Sequence, residues 1–354
     1  MAEIKSTYWD DVKAVGNALL PWNKLEGCNI LVAGATGLVG SCIVDVLMNS
    51  DNIHCHVYAG GRNKDRAKSR FARYWDMDNF SFVCIDVTEE IKCTVDYHYI
   101  IDAASNASPN FFTQQPVEVM MANIQGVNNL MKYGIAHCMQ RFLYVSTGEI
   151  YGQSVGKVFK ETDSGYVNSM LSRSCYPSSK RAAETLCASF ASEYGTDVVI
   201  GRLCHTYGPY FTESDNRVFA QFIRNVLNGE DILMNSEGSQ YRSWCYVVDS
   251  VKAILFVLLK GDKGEAYNIA DETSCFSIRE LADAIASSRN KKVIVRVCDN
   301  NKMSNSGIKT ALFDTCKLKK LGFSISGTWM DKINSTINEQ SNVKEKVVKI
   351  VNNQ

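Results

Sequence analysis

Short runs of consecutive apolar residues alternate along the chain with longer stretches in which apolar positions recur every three or four residues. The apolar runs fall at 29–33 (NILVA), 54–59 (HCHVYA), 80–85 (FSFVCI), 98–102 (HYIID), 141–146 (RFLYVS) and 197–203 (DVVIGRL). A run of this length without alternation reads as a strand buried on both faces. The intervening segments at 63–74, 116–138 and 177–194 carry helical periodicity. Strands that alternate with helices in this way predict an α/β fold built on a doubly wound parallel sheet. After about residue 205 the loops lengthen and turn polar (FTESDNR, NSEGSQYRS), with helix-like segments at 217–229 and 247–260. The expected organisation is a helical extension over 1–27, a sheet domain over 28–204 and a smaller α/β lobe over 205–354. Some segments of that lobe are expected to return to the sheet.

Composition narrows the function classes. With 354 residues and 45% hydrophobic content, the chain buries a large core. Its 38 basic and 38 acidic residues cancel, so no global field draws in nucleic acid or an anionic membrane, and an anionic ligand has to be held locally. Thirteen scattered cysteines include no Cys-x-x-Cys pair, which predicts reduced, mostly buried thiols and no metal site. The opening residues lack the apolar centre of a signal peptide, and no apolar run reaches the roughly 18 residues that span a bilayer. A cytoplasmic location is expected.

The first strand runs directly into Gly34-Ala35-Thr36-Gly37-Leu38-Val39-Gly40. Glycines between a strand and a helix permit a tight turn, and the helix N-terminus that follows offers N–H groups to a diphosphate. Gly34, Thr36, Gly37, Leu38, Val39 and Gly40 are therefore candidate ligands of a dinucleotide in a Rossmann-type fold. The spacing is a variant of Gly-x-Gly-x-x-Gly. The second strand ends in Ala59-Gly60-Gly61-Arg62, without the acid that commonly receives the adenosine ribose. Arg62 either accepts a 2′-phosphate, favouring NADP over NAD, or is a solvated charge at a helix start. Asp86 and Val87, at the end of the third strand, either meet an adenine edge or form a plain turn.

Tyr176 and Lys180, in RSCYPSSKRAAET, stand four residues apart on one helix face. An ammonium beside a phenol favours the phenolate, so the spacing predicts a tyrosine base working below its ordinary pKa of about 10.

Taken together, the glycine turn, the strand end Ser146-Thr147-Gly148-Glu149-Ile150-Tyr151-Gly152, Tyr176 with Lys180, and the late Arg242 resemble an extended short-chain dehydrogenase/reductase of the nucleotide-sugar type, the NAD-dependent epimerase/dehydratase family. The likeness runs from about residue 28 to about 325. Within the family the runs Ala104-Ser105-Asn106-Ala107-Ser108-Pro109, SCYPSSKRAAETLC, Tyr207-Gly208-Pro209 with Asp215-Asn216-Arg217, and Gly238-Ser239-Gln240-Tyr241-Arg242 are most similar to UDP-glucuronate decarboxylases.

The resemblance implies a tightly held NAD or NADP that is recycled in place, with Ala103 and Ala104 beside it. It implies oxidation at the sugar C4, with Tyr176 as base, Lys180 lowering its pKa and holding the nicotinamide ribose, and Thr147 against the same sugar oxygen. Glu149 acts on the C5 side. Ser105, Ser108, His205, Arg217 and Arg242 face the substrate, the two arginines as diphosphate ligands. It further implies a homodimer made through a four-helix bundle of the helices near 116–135 and 177–194. Family dehydratases often carry an acid where this chain has Gly148, so a glutamate without that acid suits decarboxylation of a UDP-glucuronate-like substrate. 4,6-Dehydration and 4-epimerisation are the alternatives, and a redox sensor without turnover is a third. His205 replaces a usual asparagine and Tyr210 a usual arginine, and both changes bear on which sugar is accepted.

Overall fold

The computed structural model describes residues 7–153, 158–296 and 310–352. Its centre is a seven-stranded sheet of β1 (Asn29–Ala33), β2 (His56–Gly61), β3 (Phe80–Cys84), β4 (Tyr99–Asp102), β5 (Arg141–Thr147), β6 (Val198–Leu203) and β7 (Ala266–Ile269). The spatial order is β3-β2-β1-β4-β5-β6-β7, and every neighbouring pair is parallel. This is the doubly wound order, and it reverses direction between β1 and β4. The interior strands are buried on both faces, as at Ile30, Leu31, Val32 and Ala33, which is why their sequences run apolar without alternation. The second strand begins two residues later than the apolar pattern predicts. Its His54–Cys55 start is bonded into the turn before β1, where the His54 carbonyl accepts from Gly27.

Eleven helices among the described residues cover this sheet and a second one. They are α1 (Tyr8–Val15), α2 (Leu38–Met48), α3 (Lys64–Arg70), α4 (Pro109–Gln114), α5 (Pro116–Ala136), α6 (Cys175–Tyr194), α7 (Val218–Leu227), α8 (Val247–Lys260), α9 (Ile278–Ser287), α10 (Cys316–Lys320) and α11 (Trp329–Asn352). Helix α5 turns Val119, Asn123, Gly126, Val127 and Leu130 inward at helical spacing, and α6 does the same with Tyr176, Lys180, Ala183, Cys187 and Phe190. The two pack on each other, and the buried Asn123 amide donates to the Ser179 hydroxyl at 2.9 Å. Helix α6 stops at Gly195, whose φ of 68° is open to glycine.

Beyond β6 the chain builds most of a second sheet, from Tyr241–Tyr246, Asp271–Ser277, Thr310–Phe313 and His205–Tyr207, joined by Val158–Phe159 from before β6, and returns through β7 to the edge of the first. The N-terminal segment is fastened to α2. The buried Asp45 accepts from the Tyr8 hydroxyl at 2.5 Å, from Tyr74 at 3.1 Å and from Arg70. Among the described residues no helix is long and apolar enough to cross a membrane, and every described cysteine is a free thiol.

Candidate active site

The reversal of strand order opens a crevice at the carboxyl ends of β1 and β4, and the glycine turn sits in it. Gly34 has φ of 74°, and a Cβ there would lie 2.7 Å from both the Ala103 carbonyl oxygen and Ala104 Cα. A Cβ on Gly40 would lie 2.3 Å from the Gly34 carbonyl oxygen. Turn, helix and β4 loop are thus in backbone contact, and only glycine fits at these two points. Gly37 caps α2, so the first-turn N–H groups at Leu38, Val39 and Gly40 have no acceptor within the helix. A cradle of this shape and polarity fits the diphosphate of a dinucleotide.

At the rim of the cradle, a Cβ on Gly61 would come within 3.9 Å of the Thr36 hydroxyl oxygen, so the end of β2 faces the turn and carries no carboxylate there. Arg66 of α3 donates to the Thr36 carbonyl at 3.0 Å. Arg62 lies 3.6 Å from the Asp86 carboxylate. Burial pushes the Asp86 carboxyl up, but bonds from the Thr88 backbone and hydroxyl, together with Arg62, outweigh it and hold the group below its ordinary value. Val87 is buried against Gly126 of α5.

Ten residues beyond the end of β4 begins a stack of planar groups. Phe112 of α4 lies parallel to the Tyr176 ring, 4.6 Å between centroids, and the Arg173 guanidinium covers Phe112 at 4.6 Å. One nitrogen of Arg173 donates to both oxygens of Glu149, at 3.0 and 2.9 Å. Tyr176 is 7% exposed. Burial raises its phenol pKa and the Glu149 charge raises it further, against a hydrogen bond from Thr147 and the positive charges of Arg217 and Arg173.

The phenol is therefore pushed up, which corrects the expected depression by Lys180. The Lys180 ammonium lies 5.9 Å from the Tyr176 ring centroid, donates to the Val145 carbonyl at 2.9 Å and sits 4.5 Å over the Tyr144 ring. Sharing a helix face brings the two residues together, but in this arrangement the ammonium is directed at the sheet. Burial pushes Lys180 down to about 8, opposed by Asp102 and Glu184. Asp102, at the end of β4, is buried, is pushed up to about 6 by that burial, and keeps one carboxylate oxygen without a partner.

The strand end that carries Thr147 is locked from below. Ser146 donates to Glu184 of α6 at 2.5 Å, and Arg202 of β6 grips the same carboxylate, its closest contact 2.7 Å. Arg202 also bonds Tyr151, at 3.1 Å. The Thr147 hydroxyl accepts from the Glu149 N–H at 3.3 Å, fixing the turn between them. Gly148 lies in that turn, and a Cβ there would fall 1.9 Å from Cζ of Phe313, in the second sheet.

Across from Tyr176, His205 leans on Trp244, ring centroids 5.2 Å apart. Although its residue surface is open at this face, the surrounding protein withdraws water from the imidazole, and Arg242 and Arg217 add positive charge, so its pKa is pushed down. Arg242 is buried, and that burial lowers its pKa while the Glu149 charge raises it. Arg217 directs its guanidinium fork at the Asp215 carboxylate, closest contact 2.6 Å. The Ser105 hydroxyl is buried without a partner, whereas Ser108 contacts Asn216 across the opening.

The structure thus gathers Thr147, Glu149, Tyr176, His205, Arg217 and Arg242 around one space and leaves Arg62, Asp86 and Val87 at the far end of the cradle. Phe112, Arg173 and Phe313 border the same space, Arg66 borders the cradle rim, and none of them carries a sequence motif. Arg173 stands three residues before Tyr176, but its partner Glu149 is 24 residues away in sequence.

The chain is similar to several known proteins. UDP-glucuronic acid decarboxylase 5 of Arabidopsis thaliana is 33% identical over 272 residues, 77% of each chain. UDP-glucuronic acid decarboxylase 1 of Xenopus tropicalis is 32% identical over 231 residues, 65% of this chain and 53% of that one. Among solved structures, UDP-glucose 4-epimerase of Thermotoga maritima has the same fold, with a TM-score of 0.77 at 23% identity, covering 89% of this chain and 99% of that one. The dTDP-glucose 4,6-dehydratase DesIV of Streptomyces venezuelae, solved with NAD, gives 0.76 at 21%, covering 90% and 98%. Residues 30–270, which hold both the glycine cradle and the tyrosine helix, match the model of the NAD dependent epimerase/dehydratase family, and to that family the chain belongs.

Proposed function

We propose that the protein decarboxylates a UDP-glucuronate-like nucleotide sugar by way of a C4 ketone, with a recycled nicotinamide cofactor. The observation that carries the reading is the convergence of the Tyr176 phenol, the Thr147 hydroxyl and the Lys180 ammonium beside the glycine cradle. The glycine turn Gly34–Gly40 and the start of α2 would hold a nicotinamide dinucleotide, which would supply reversible hydride transfer at C4.

The chain's own residues supply the proton transfers and the charges. Tyr176 as phenolate takes the C4 hydroxyl proton, with Thr147 donating to the same phenol oxygen and steadying its charge. Lys180 donates one N–H to the Val145 carbonyl and keeps two for hydroxyls of a nicotinamide ribose. Once C4 is a ketone, a C6 carboxylate makes the sugar a β-keto acid. The C5–C6 bond breaks, its electron pair forms an enolate delocalised onto the C4 oxygen, and carbon dioxide leaves. A proton then returns to C5 on the side where Glu149 stands. Arg242 and Arg217 supply positive charge for the carboxylate and the diphosphate.

Decarboxylation is favoured over 4,6-dehydration because the latter has to protonate a departing hydroxyl at C6. The position before Glu149 is Gly148, and the Phe313 ring fills the space that a side chain there would take. NADP is the cofactor that the rim favours. No carboxylate stands at Gly61 to receive a ribose, Arg66 donates to the Thr36 carbonyl, and Arg62 lies beside Asp86. Val117 and Met121 of α5 keep 66% and 42% of their surface exposed, which supports dimerisation through α5 and α6.

The test is mass spectrometry of the products after incubation with a panel of UDP-, dTDP-, GDP- and CDP-sugars that includes UDP-glucuronate. A nucleotide pentose with release of carbon dioxide is expected, and Tyr176→Phe should bind the same sugar with turnover reduced by orders of magnitude. A keto-deoxy sugar, an epimer, or near-normal turnover by the phenylalanine variant overturns the reading.

A further inference from the structure

Glu149 places a negative charge near the group that has to become a phenolate, and Thr147 and Arg217 oppose its effect at the phenol without bonding the carboxylate itself. Arg173 bonds it. Its guanidinium holds both carboxylate oxygens of Glu149, at 3.0 and 2.9 Å, while its plane rests on Phe112, 4.6 Å away. Phe112 is 1% exposed and lies parallel to Tyr176, 4.6 Å between centroids and 20° between planes. The stack fixes where the guanidinium sits, and the ion pair fixes where the carboxylate sits.

We propose that Arg173 is a positioning residue of this site, anchoring and neutralising Glu149 so that the neighbouring Tyr176 phenol can ionise. The inference rests on the reading of Tyr176 as the base. The charged and titratable groups around the phenol and its neighbouring carboxylate are Glu149 and Tyr144 from the β5 side, His205, Arg217 and Arg242 from the opposite side, and Arg173 and Lys180 from its own segment. Glu149 supplies the carboxylate among them, and Arg173 donates to both of its oxygens. The pair is half open to solvent at the arginine, so its worth to overall stability is small and its effect is local. Removing the arginine leaves an uncompensated carboxylate beside the phenol, which opposes the second negative charge.

The experiment follows the ionisation of Tyr176 directly by pH-dependent ultraviolet difference absorbance of the full-length protein with its cofactor, each spectrum taken against the Tyr176→Phe counterpart. Arg173→Gln should lower the phenol's ionisation constant about tenfold, one unit upward in midpoint. Arg173→Lys should restore most of it, and the double variant Glu149→Gln with Arg173→Gln should return the midpoint to that of the parent. A merely structural arginine would leave the midpoint in place, and an unchanged midpoint in a folded Arg173→Gln overturns the inference. So does a shift that persists in the double variant, since it would not come from Glu149. If the parent shows no titration assignable to Tyr176, then the assignment of the base has failed, which is a separate result from failure of the arginine's role.

Discussion

Gly148 is the position at which packing and chemistry can be separated by a single methyl group. Alanine there puts Cβ 1.9 Å from Cζ of Phe313, while ordinary contact begins at 3.4 Å, so ring or turn has to yield by 3.4 − 1.9 = 1.5 Å. The ring cannot simply swing away. Phe313 is 4% exposed and is held edge-on by Tyr151 and Phe159, at 5.9 and 6.1 Å, themselves 0% and 2% exposed. Overpacking of this kind costs about 1–3 kcal/mol. Replacing a glycine returns about 0.4–1 kcal/mol by narrowing the unfolded ensemble, because φ at 148 is not in the left-handed region. A net loss of about 1–2 kcal/mol is expected for Gly148→Ala and more for Gly148→Asp, measured by urea unfolding. Phe313→Leu should lessen the penalty of Gly148→Ala by at least about 0.5 kcal/mol in a double-mutant cycle. Gly148→Asp should yield no dehydration product, since its carboxyl is driven off by the ring. Gly148→Ala with parental stability, or an additive cycle, would refute the argument that Phe313 closes this position.

Lys180 should give opposite signs in stability and activity. Its folded-state pKa of about 8 lies below the unfolded value of 10.5, so the unfolded chain binds more protons between these values and stability rises with pH across that window. Activity should fall over the same range as the ammonium is lost. Lys180→Met should abolish turnover and remove the rise in stability between about pH 8 and 10, and urea midpoints that still climb in the variant would exclude Lys180 as the source. Glu184→Gln should cost about 3–5 kcal/mol, because it leaves Arg202 buried without its counter-charge; urea unfolding measures this, and a loss below about 1 kcal/mol would mean that the clamp under Thr147 is immaterial. Finally, calorimetry of the cofactor-stripped protein should find tighter binding of NADP than of NAD. Arg66→Ala should weaken NADP at least tenfold and NAD little, and equal weakening of both would remove the 2′-phosphate assignment.

Six of the seven strands and their alternation with helices were legible because burial leaves little freedom to place a polar residue, as in NILVA at β1, whereas β7 was expected only as an unspecified return to the sheet. The glycine cradle was legible for a similar reason. Backbone contact at Gly34 and Gly40 excludes every side chain, so the spacing itself records the geometry. Tyr176 and Lys180 could be paired because four residues on a helix is a fixed offset.

The direction of Lys180, bonded to Val145, was not legible, because it depends on a strand 35 residues away. Nor were the Arg173–Glu149 pair, the Phe112 stack and the Phe313 wall, each made between segments that meet only when the sheets assemble. By itself, then, the sequence determined the local geometry: which segments are strands, where the turn must be glycine, and which residues share a helix face. Tertiary structure decided the electrostatics, because whether a phenol ionises or an ammonium is depressed depends on the distance of charges and the loss of water. Those are set by residues remote in the chain.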